Sequence, residues 1–316
     1  MIRTHRLVEG ALVAGDGLDS LRVPEGDERA WYLAVAPDAE ERQMLADRLG
    51  LHELALSDAL RQRHPAKLED YGDHLFVIAH TPVEDESVPT RKIAIFLGKT
   101  WVVSVTLVPL VTVDEVEARI VHEPKRFLEH PERVMHALLD HQMEGFQLLV
   151  DGLVDRVETL ECGTIDRAEL NCLKAIQERR RQVAKLLRIT RTQRDVCLTL
   201  SRTNHQVLSP QITPYLRDVY DHCLRVYDHL EGVRDSLSAA RDGYLSAVNN
   251  RLSESMRVLT VIATIMMPLS LVAGVFGMNF VEMPLLGNGW GFWLTVGLMA
   301  AVGVGMLAWF RRRHWI

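Results

Sequence analysis

The strongest constraint on this sequence is an uncharged run of 19 residues from Val258 to Phe276. A helix needs about 20 apolar residues to cross the hydrocarbon core of a bilayer, so this run predicts a membrane span. A second uncharged run, Trp290 to Phe310, follows after a short loop, and the basic segment Arg311 to Arg313 comes directly after it. Two spans cannot enclose a pore within one chain. Any conduction pathway predicted from this sequence therefore forms between copies.

Basic residues predict the orientation of the two spans. Arg251 and Arg257 precede the first span and Arg311 to Arg313 follow the second, whereas the loop Gly277 to Gly289 contains no Lys or Arg. Segments next to a span on the cytoplasmic side carry the excess of Lys and Arg. The first ten residues, MIRTHRLVEG, hold no apolar run typical of a secretory signal. We therefore expect a multi-pass protein of the cell inner membrane with both termini in the cytoplasm.

Composition argues against several functional classes. A net charge of −6 does not favour a nucleic-acid partner, and no GxxxxGK[ST] phosphate loop indicates ATP-driven pumping. No nucleophile or acid–base set converges, so we expect no enzymatic activity and no prosthetic group. The four cysteines stand singly in helical patterns without a CxxC pair. Reduced packing cysteines are the favoured interpretation over zinc ligation.

Hydrophobic periodicity predicts an α+β cytoplasmic domain, then long α-helices, then two C-terminal transmembrane helices. The chain of 316 residues is long enough for two or three domains. The predicted regions are a cytoplasmic α/β domain (1–125), a cytoplasmic helical region (126–209), a stalk helix continuing into the first span (210–281), an external loop (282–289), and the second span with a basic tail (290–316). Within the α/β domain, β-rich runs occur at 31–35, 74–80, 91–97 and 101–107, and Asp38 is placed to cap a helix over 39–49.

One face of the predicted stalk helix and first span carries a stripe of aligned residues. We call it the α7 stripe, where α7 denotes the predicted helix that runs from Tyr215 through the first span: Asp242, Ser246, Asn249, Ser253, Met256, Leu259, Ala263, Met267, Ser270 and Gly274. Steps of mainly three and four residues place these side chains on one helix face. The stripe is polar before the span, apolar or small within it, and it leads to Gly277, Met278 and Asn279. In a symmetric oligomer each position would form a ring of identical groups, so the stripe predicts a pore lining.

The chain resembles the CorA family of magnesium/cobalt transporters. The residues that carry the resemblance in and near the spans are Asn250-Arg251-Leu252, Met256 to Thr260, Pro268-Leu269, Ala273-Gly274, Gly277-Met278-Asn279, Met283-Pro284 and His314-Trp315-Ile316. Weaker matches upstream are Trp31-Tyr32-Leu33, Leu54 to Asp58, Lys67-Leu68-Glu69 and Ile95 to Lys99. The resemblance covers nearly the whole chain, and GMN at the end of a span is a specific signal when a second span and a basic tail follow it.

The resemblance implies a funnel-shaped homopentamer in the lipid bilayer that conducts divalent cations. It implies a selectivity filter formed by Asn279 with the backbone of Gly277 and Met278. Mg²⁺, or Co²⁺ or Zn²⁺, would be both the transported and the regulatory ion. Feedback by cytoplasmic metal would involve acidic residues of the stalk helix, for which Asp218, Asp221 and Asp228 are the candidates.

Three alternatives stay open at the level of the sequence. The loop reads Met283-Pro284-Leu285 where magnesium-type members commonly carry an acidic residue, so only Glu282 would concentrate cations at the external mouth. The ZntB zinc branch, with or without proton coupling, also departs from the family in this loop, so zinc transport is one alternative. Methionine sulfur in the α7 stripe could bind a transition metal rather than form an apolar constriction. A membrane-anchored sensor or scaffold is the third alternative, and it predicts no role for Asn279.

Overall fold

The structure, a computed structural model, describes residues 1–83, 90–166, 170–278 and 289–315. It divides into two compact units, which we call unit 1 (Met1–Gly163 with Leu170–Ala240) and unit 2 (Thr164–Glu169 with Arg241–Ile316). The strands are β1 (Ile2–Val8), β2 (Ala11–Asp16), β3 (Arg29–Val35), β4 (Lys67–Asp70), β5 (Leu75–Pro82), β6 (Thr90–Leu97) and β7 (Trp101–Thr106). The helices are α1 (Ala39–Leu49), α2 (Glu53–Leu60), α3 (Val111–His122), α4 (Pro124–Leu128), α5 (Pro131–Asp166), α6 (Leu170–Arg202), α7 (Thr213–Phe276) and α8 (Gly291–Arg312).

The seven strands of unit 1 form one sheet in the order β2-β1-β3-β7-β6-β5-β4. The central pair β3 and β7 is parallel, with Tyr32 opposite Val103, and every other neighbouring pair is antiparallel. The predicted strands β3, β5, β6 and β7 are confirmed. The sequence analysis missed β1, β2 and β4; β4 is only four residues long, and β2 is largely exposed at the edge of the sheet.

Both faces of the sheet are covered, which explains why its central strands read as continuous apolar runs. Alternate residues of a strand point to opposite faces. In β3, Trp31 and Leu33 therefore join one buried cluster, whereas Tyr32 and Ala34 join another. The first cluster includes buried residues of α3, α5, α6 and α7, and the second includes those of α1 and α2. Phe76 and Phe96 stack in the second cluster with ring centroids 4.5 Å apart.

Local sequence signals set the bounds of α1. The backbone N–H of Glu41 donates to the Asp38 carboxylate, and the Glu41 carboxylate accepts from the Asp38 N–H. This capping box satisfies two backbone donors that the helix itself leaves without partners. The helix ends at Leu49, and the next residue, Gly50, has a φ of 66°, a left-handed conformation that glycine adopts without steric cost. The predicted helix and its cap are both confirmed.

The buried face of α7 within unit 1 repeats every three or four residues, as in a helix that packs along its length. Its buried residues are Leu216, Val219, Cys223, Val226, Leu230, Val233, Leu237 and Ala240. Tyr220 and Tyr227 are only half-buried and flank this face. Gly232 does not interrupt the helix, because α7 is continuous to Phe276.

Unit 2 contains two candidate membrane spans. They are the apolar part of α7 and the helix α8, both long and apolar enough to cross a membrane. Pro268 lies within α7 without ending it. The hydroxyls of Thr260 and Thr264 donate to the carbonyls of Met256 and Thr260, four residues earlier. These bonds satisfy polar groups that a hydrocarbon environment would otherwise leave unpaired.

Candidate ion pathway and regulatory metal site

The α7 stripe lies on an exposed face of its helix. All ten residues of the stripe, from Asp242 to Gly274, are exposed in the single chain. Met256, Leu259 and Met267 expose 59%, 64% and 73% of their surface. Apolar side chains this exposed within unit 2 are available to lipid or to another copy of the chain.

The opposite face of α7 is the one that meets α8. Its least exposed residues in the span are Val261, Thr264, Ile265, Pro268, Leu269 and Val272. On α8 the corresponding residues are Gly291, Thr295, Met299, Gly303, Met306 and Phe310. A Cβ added to Gly303 would lie 3.8 Å from Cδ1 of Leu269, so the glycine lets the two helices approach. At 100° per residue, the α7 stripe lies about half a turn away from this contact.

Helix α7 ends where the predicted filter begins. The N–H of Gly277 donates to the carbonyl of Ala273 at 2.9 Å, and the N–H of Met278 lies 3.3 Å from the carbonyl of Val275. A Cβ at Gly277 would come within 3.1 Å of the Ala273 oxygen, closer than side chains usually pack. Gly277 and Met278 are exposed and continue the α7 stripe. Asn279 and Glu282, predicted for the filter and the external mouth, lie outside the described residues.

A second candidate site lies in unit 1, where α5 and α7 bring three potential metal ligands together. They are Asp140 on α5 and Asp218 and His222 on α7, with ligand atoms that all lie within 4.8 Å of one another. Nδ1 of His222 is 3.2 Å from Oδ1 of Asp140, and Nε2 of His222 is 3.7 Å from Oδ2 of Asp218. We call this group the Asp–Asp–His cluster. Two carboxylates and an imidazole suit a divalent cation that accepts both oxygen and nitrogen ligands.

The surroundings of the Asp–Asp–His cluster add another imidazole. Burial lowers the pKa of His136, and the carboxylates of Asp140 and Asp218 oppose that shift. Nε2 of His136 is buried and has no hydrogen-bond partner among the described residues. Oδ1 of Asp140 is also buried, and its contact with Nδ1 of His222 is close but does not have the geometry of a hydrogen bond. The ring of His136 packs edge-on against Tyr215 at 5.4 Å. The His136 imidazole is therefore a further nitrogen ligand beside the two carboxylates of the cluster.

The structure brings one of the three predicted regulatory residues into this cluster. Asp218 belongs to it, whereas Asp221 and Asp228 are exposed on α7 and lie outside the group. The sequence analysis missed Asp140 and His222. His222 could have been found, because it follows Asp218 by one helical turn on the same face. Asp140 could not have been, since it lies on another helix far away in sequence.

The family of the chain is decided by its sequence match over residues 26–312, which is most of its length, to the family described as CorA-like Mg²⁺ transporter protein. The chain belongs to that family. It is therefore a membrane transporter rather than an enzyme, and the resemblance stated above is confirmed.

Known proteins agree with this assignment. The cobalt/magnesium transport protein CorA of Thermotoga maritima is 29% identical over 280 residues, which cover 87% of this chain and 79% of that protein. The complete structure of the CorA magnesium transporter from Methanocaldococcus jannaschii has a TM-score of 0.88 at 20% identity, covering 100% of this chain and 99% of that one. The cytoplasmic domain of ZntB from Vibrio parahaemolyticus has a TM-score of 0.65 at 12% identity, covering 79% of this chain and 98% of that domain. At these identities the two solved structures show a shared fold.

Proposed function

We propose that this CorA-family chain assembles as a homopentamer that conducts Mg²⁺ or Co²⁺ across the inner membrane, with both termini in the cytoplasm. The observation that carries the proposal is the α7 stripe. It is exposed in the single chain, opposite the contact with α8, and continuous with Gly277 and Met278. A ring of α7 helices with α8 outside would turn that face towards a central pathway. The five-fold count comes from the family resemblance.

The chemistry of the proposed pathway fits an ion that keeps its water. Mg²⁺ loses its hydration shell reluctantly and prefers oxygen ligands, so a ring of carboxamides and backbone carbonyls at Asn279 would accept the hydrated ion. Further along the stripe, rings of Met256, Leu259 and Met267 would form an apolar neck. Such a neck closes by losing its water and conducts when it is wetted.

The decisive experiment compares the wild-type chain with Asn279→Ala in liposomes that contain a metal-sensitive dye. We expect the substitution to abolish divalent uptake or its ion preference, because the ring would lose its amide oxygens. Asn204→Ala is the matched control, since Asn204 is an exposed residue of unit 1 and belongs to neither span. Both proteins should give the same oligomer in detergent.

The ions supplied in this assay separate the remaining functions. Uptake of Zn²⁺ in preference to Mg²⁺ and Co²⁺, driven by a proton gradient, would assign the chain to zinc transport. No uptake of any divalent ion by the wild-type oligomer would support a sensor or scaffold. Normal uptake and preference in Asn279→Ala would refute the proposed filter.

We further propose that cytoplasmic metal closes the pathway through the Asp–Asp–His cluster. Carboxylates repel one another when the site is empty, and a shared cation draws them together. Occupancy would thus hold α5 and α7 in one arrangement and favour the closed state. The imidazole of His222 makes the cluster better suited to Co²⁺ than an all-oxygen site would be.

This regulatory role predicts a change in feedback with the pathway left intact. In Asp218→Asn and Asp140→Asn, the internal metal concentration that halves uptake should rise by at least about tenfold, equivalent to about 1.4 kcal/mol. Asp221→Asn is the control, because Asp221 lies on the same helix but outside the cluster. An unchanged inhibition curve in both cluster variants would remove these residues from the sensor.

A further inference from the structure

Three sulfur atoms meet in the core of unit 1, where α5, α6 and α7 pack together. Sγ of Cys223 lies 3.2 Å from Sδ of Met143 and 3.4 Å from Sγ of Cys197. All three residues are buried, with exposures of 3% for Met143, 1% for Cys197 and 2% for Cys223. We call this group the sulfur triad. Each helix contributes one member, so the triad joins the three long helices of the unit at one point.

The ligand set of the triad is soft throughout. Thiolate and thioether sulfur bind thiophilic cations such as Cu⁺ and Cd²⁺ in preference to Mg²⁺, which prefers oxygen. The triad therefore differs in kind from the Asp–Asp–His cluster. The two sites are close in sequence: Cys223 follows His222 directly, and Met143 is three residues after Asp140.

The spacing of the sulfur atoms is compatible with a shared cation. With a metal–sulfur bond of about 2.3 Å, two sulfurs on one ion lie about 4 Å apart. The two separations from Sγ of Cys223, 3.2 and 3.4 Å, would have to widen by about 0.6 to 0.8 Å to reach that value. Rotation of the unbranched side chains can supply that movement, since methionine adapts readily to irregular spaces.

We propose that Met143, Cys197 and Cys223 form a binding site for one soft, thiophilic metal cation. A divalent ion replaces the protons of the two thiols, and two H⁺ leave for solvent as two metal–thiolate bonds form. The product has no net charge at the metal and two thiolates, so its burial avoids the cost of an uncompensated charge. The thioether of Met143 supplies the third bond.

A disulfide between Cys197 and Cys223 is the competing chemistry. It would need an oxidant such as a hydroperoxide, which takes up two electrons and two protons from the thiols and is reduced to an alcohol and water. The contact with Cys197 and burial raise the pKa of the Cys223 thiol, so the thiolate is disfavoured in either reaction unless a bound cation replaces the proton. The structure gives both cysteines as free thiols.

Binding of a soft cation would restrict the movement of the two helices that carry the Asp–Asp–His cluster. Metal–sulfur bonds would fix α5 and α7 to α6 within one residue of His222. The proposed binding site can be tested independently of transport, because its ligands lie entirely in unit 1.

The test is a Cd²⁺ titration of the reduced, full-length protein in detergent, followed by thiolate-to-metal charge-transfer absorption. We expect the charge-transfer band to saturate at one Cd²⁺ per chain, to be lost in Cys197→Ser and Cys223→Ser, and to need about tenfold more Cd²⁺ in Met143→Leu. Cys172→Ser is the matched control, since Cys172 also lies on α6 but belongs to another part of the helix. Far-UV circular dichroism without metal establishes that each variant is folded.

X-ray absorption of the Cd²⁺-loaded wild type provides a measurement that needs no variant. Three sulfur neighbours are expected around the metal. A shell of oxygen and nitrogen alone, or a charge-transfer band that persists in both cysteine variants, would overturn the proposal. So would a freshly purified chain that lacks bound metal and is lighter by two hydrogens, because that mass identifies a disulfide.

Discussion

The two units of this chain differ in how far their apolar side chains are buried. In unit 1, Phe96 and Trp31 are fully buried, and the sheet is covered on both faces. In unit 2, Met267 exposes 73% of its surface and Leu259 exposes 64%, although the local sequence is more apolar. Hydrophobicity alone therefore does not tell which residues are packed within the chain. Unit 1 buries its apolar residues in its own core, whereas the helices of unit 2 leave most of their apolar surface to be covered from outside the chain.

The largest expected difference between the units is in stability. Phe96→Ala should lower the free energy of unfolding by about 3–5 kcal/mol, because it leaves a cavity beside Phe76 in a fully packed cluster. Met267→Ala should change it by less than about 0.5 kcal/mol, since the side chain loses few contacts within its own chain. Urea unfolding of the detergent-solubilised protein, followed by near-UV circular dichroism, measures both.

Phe96→Leu is the conservative control for the first variant and should recover most of the lost stability. The comparison would be wrong if Met267→Ala destabilised the detergent-solubilised protein as much as Phe96→Ala. That result would mean that the Met267 side chain is packed as tightly as a core residue and does not line an open pathway.

The next effect is on conduction. Leu259→Gly should raise the passive leak of divalent ions through liposomes several-fold, because a wider and wetter neck no longer excludes water. Ile262→Gly carries the same helix penalty of about 1 kcal/mol on a residue that is also exposed but lies off the stripe. A leak that rises equally in both variants would point to a weakened helix in place of an enlarged neck.

Local patterns predicted the elements whose signals lie within one segment. The Asp38 cap, the strands with strong β-branched or aromatic runs, and the two spans follow from residues that are adjacent in sequence. The missed helix α3 begins at Val111 without a side-chain cap. The edge strand β2 exposes most of its residues, so it lacks the apolar pattern on which strand prediction depends.

The candidate sites also differ in whether their residues lie in one segment of the sequence. The α7 stripe was predictable because all its residues share one helix. The Asp–Asp–His cluster and the sulfur triad were not, because each needs residues of α5 beside residues of α7. Helix periodicity indicates which face of a helix is buried, but it does not tell which residues of another helix pack against that face. The contact between Asp140 and His222 depends on the tertiary packing of α5 against α7.

The smallest expected effect is on the pH dependence of the free energy of unfolding, and it comes from a histidine of unit 1. His80 is buried on β5, and burial lowers its pKa below the ordinary value of 6.5, although its bond to the His64 carbonyl opposes the shift. The unfolded chain therefore binds this proton more readily than the folded one, and stability falls as pH drops below about 6.5, by at most about 1.4 kcal/mol per pH unit. In His80→Gln the free energy of unfolding should decline less between pH 7 and pH 5 than in the wild type. Urea unfolding of the full-length protein at each pH measures this decline. His122→Gln, on an exposed residue of α3, should keep the wild-type slope. Equal slopes in wild type and His80→Gln would show that the acid sensitivity of unit 1 comes from other groups.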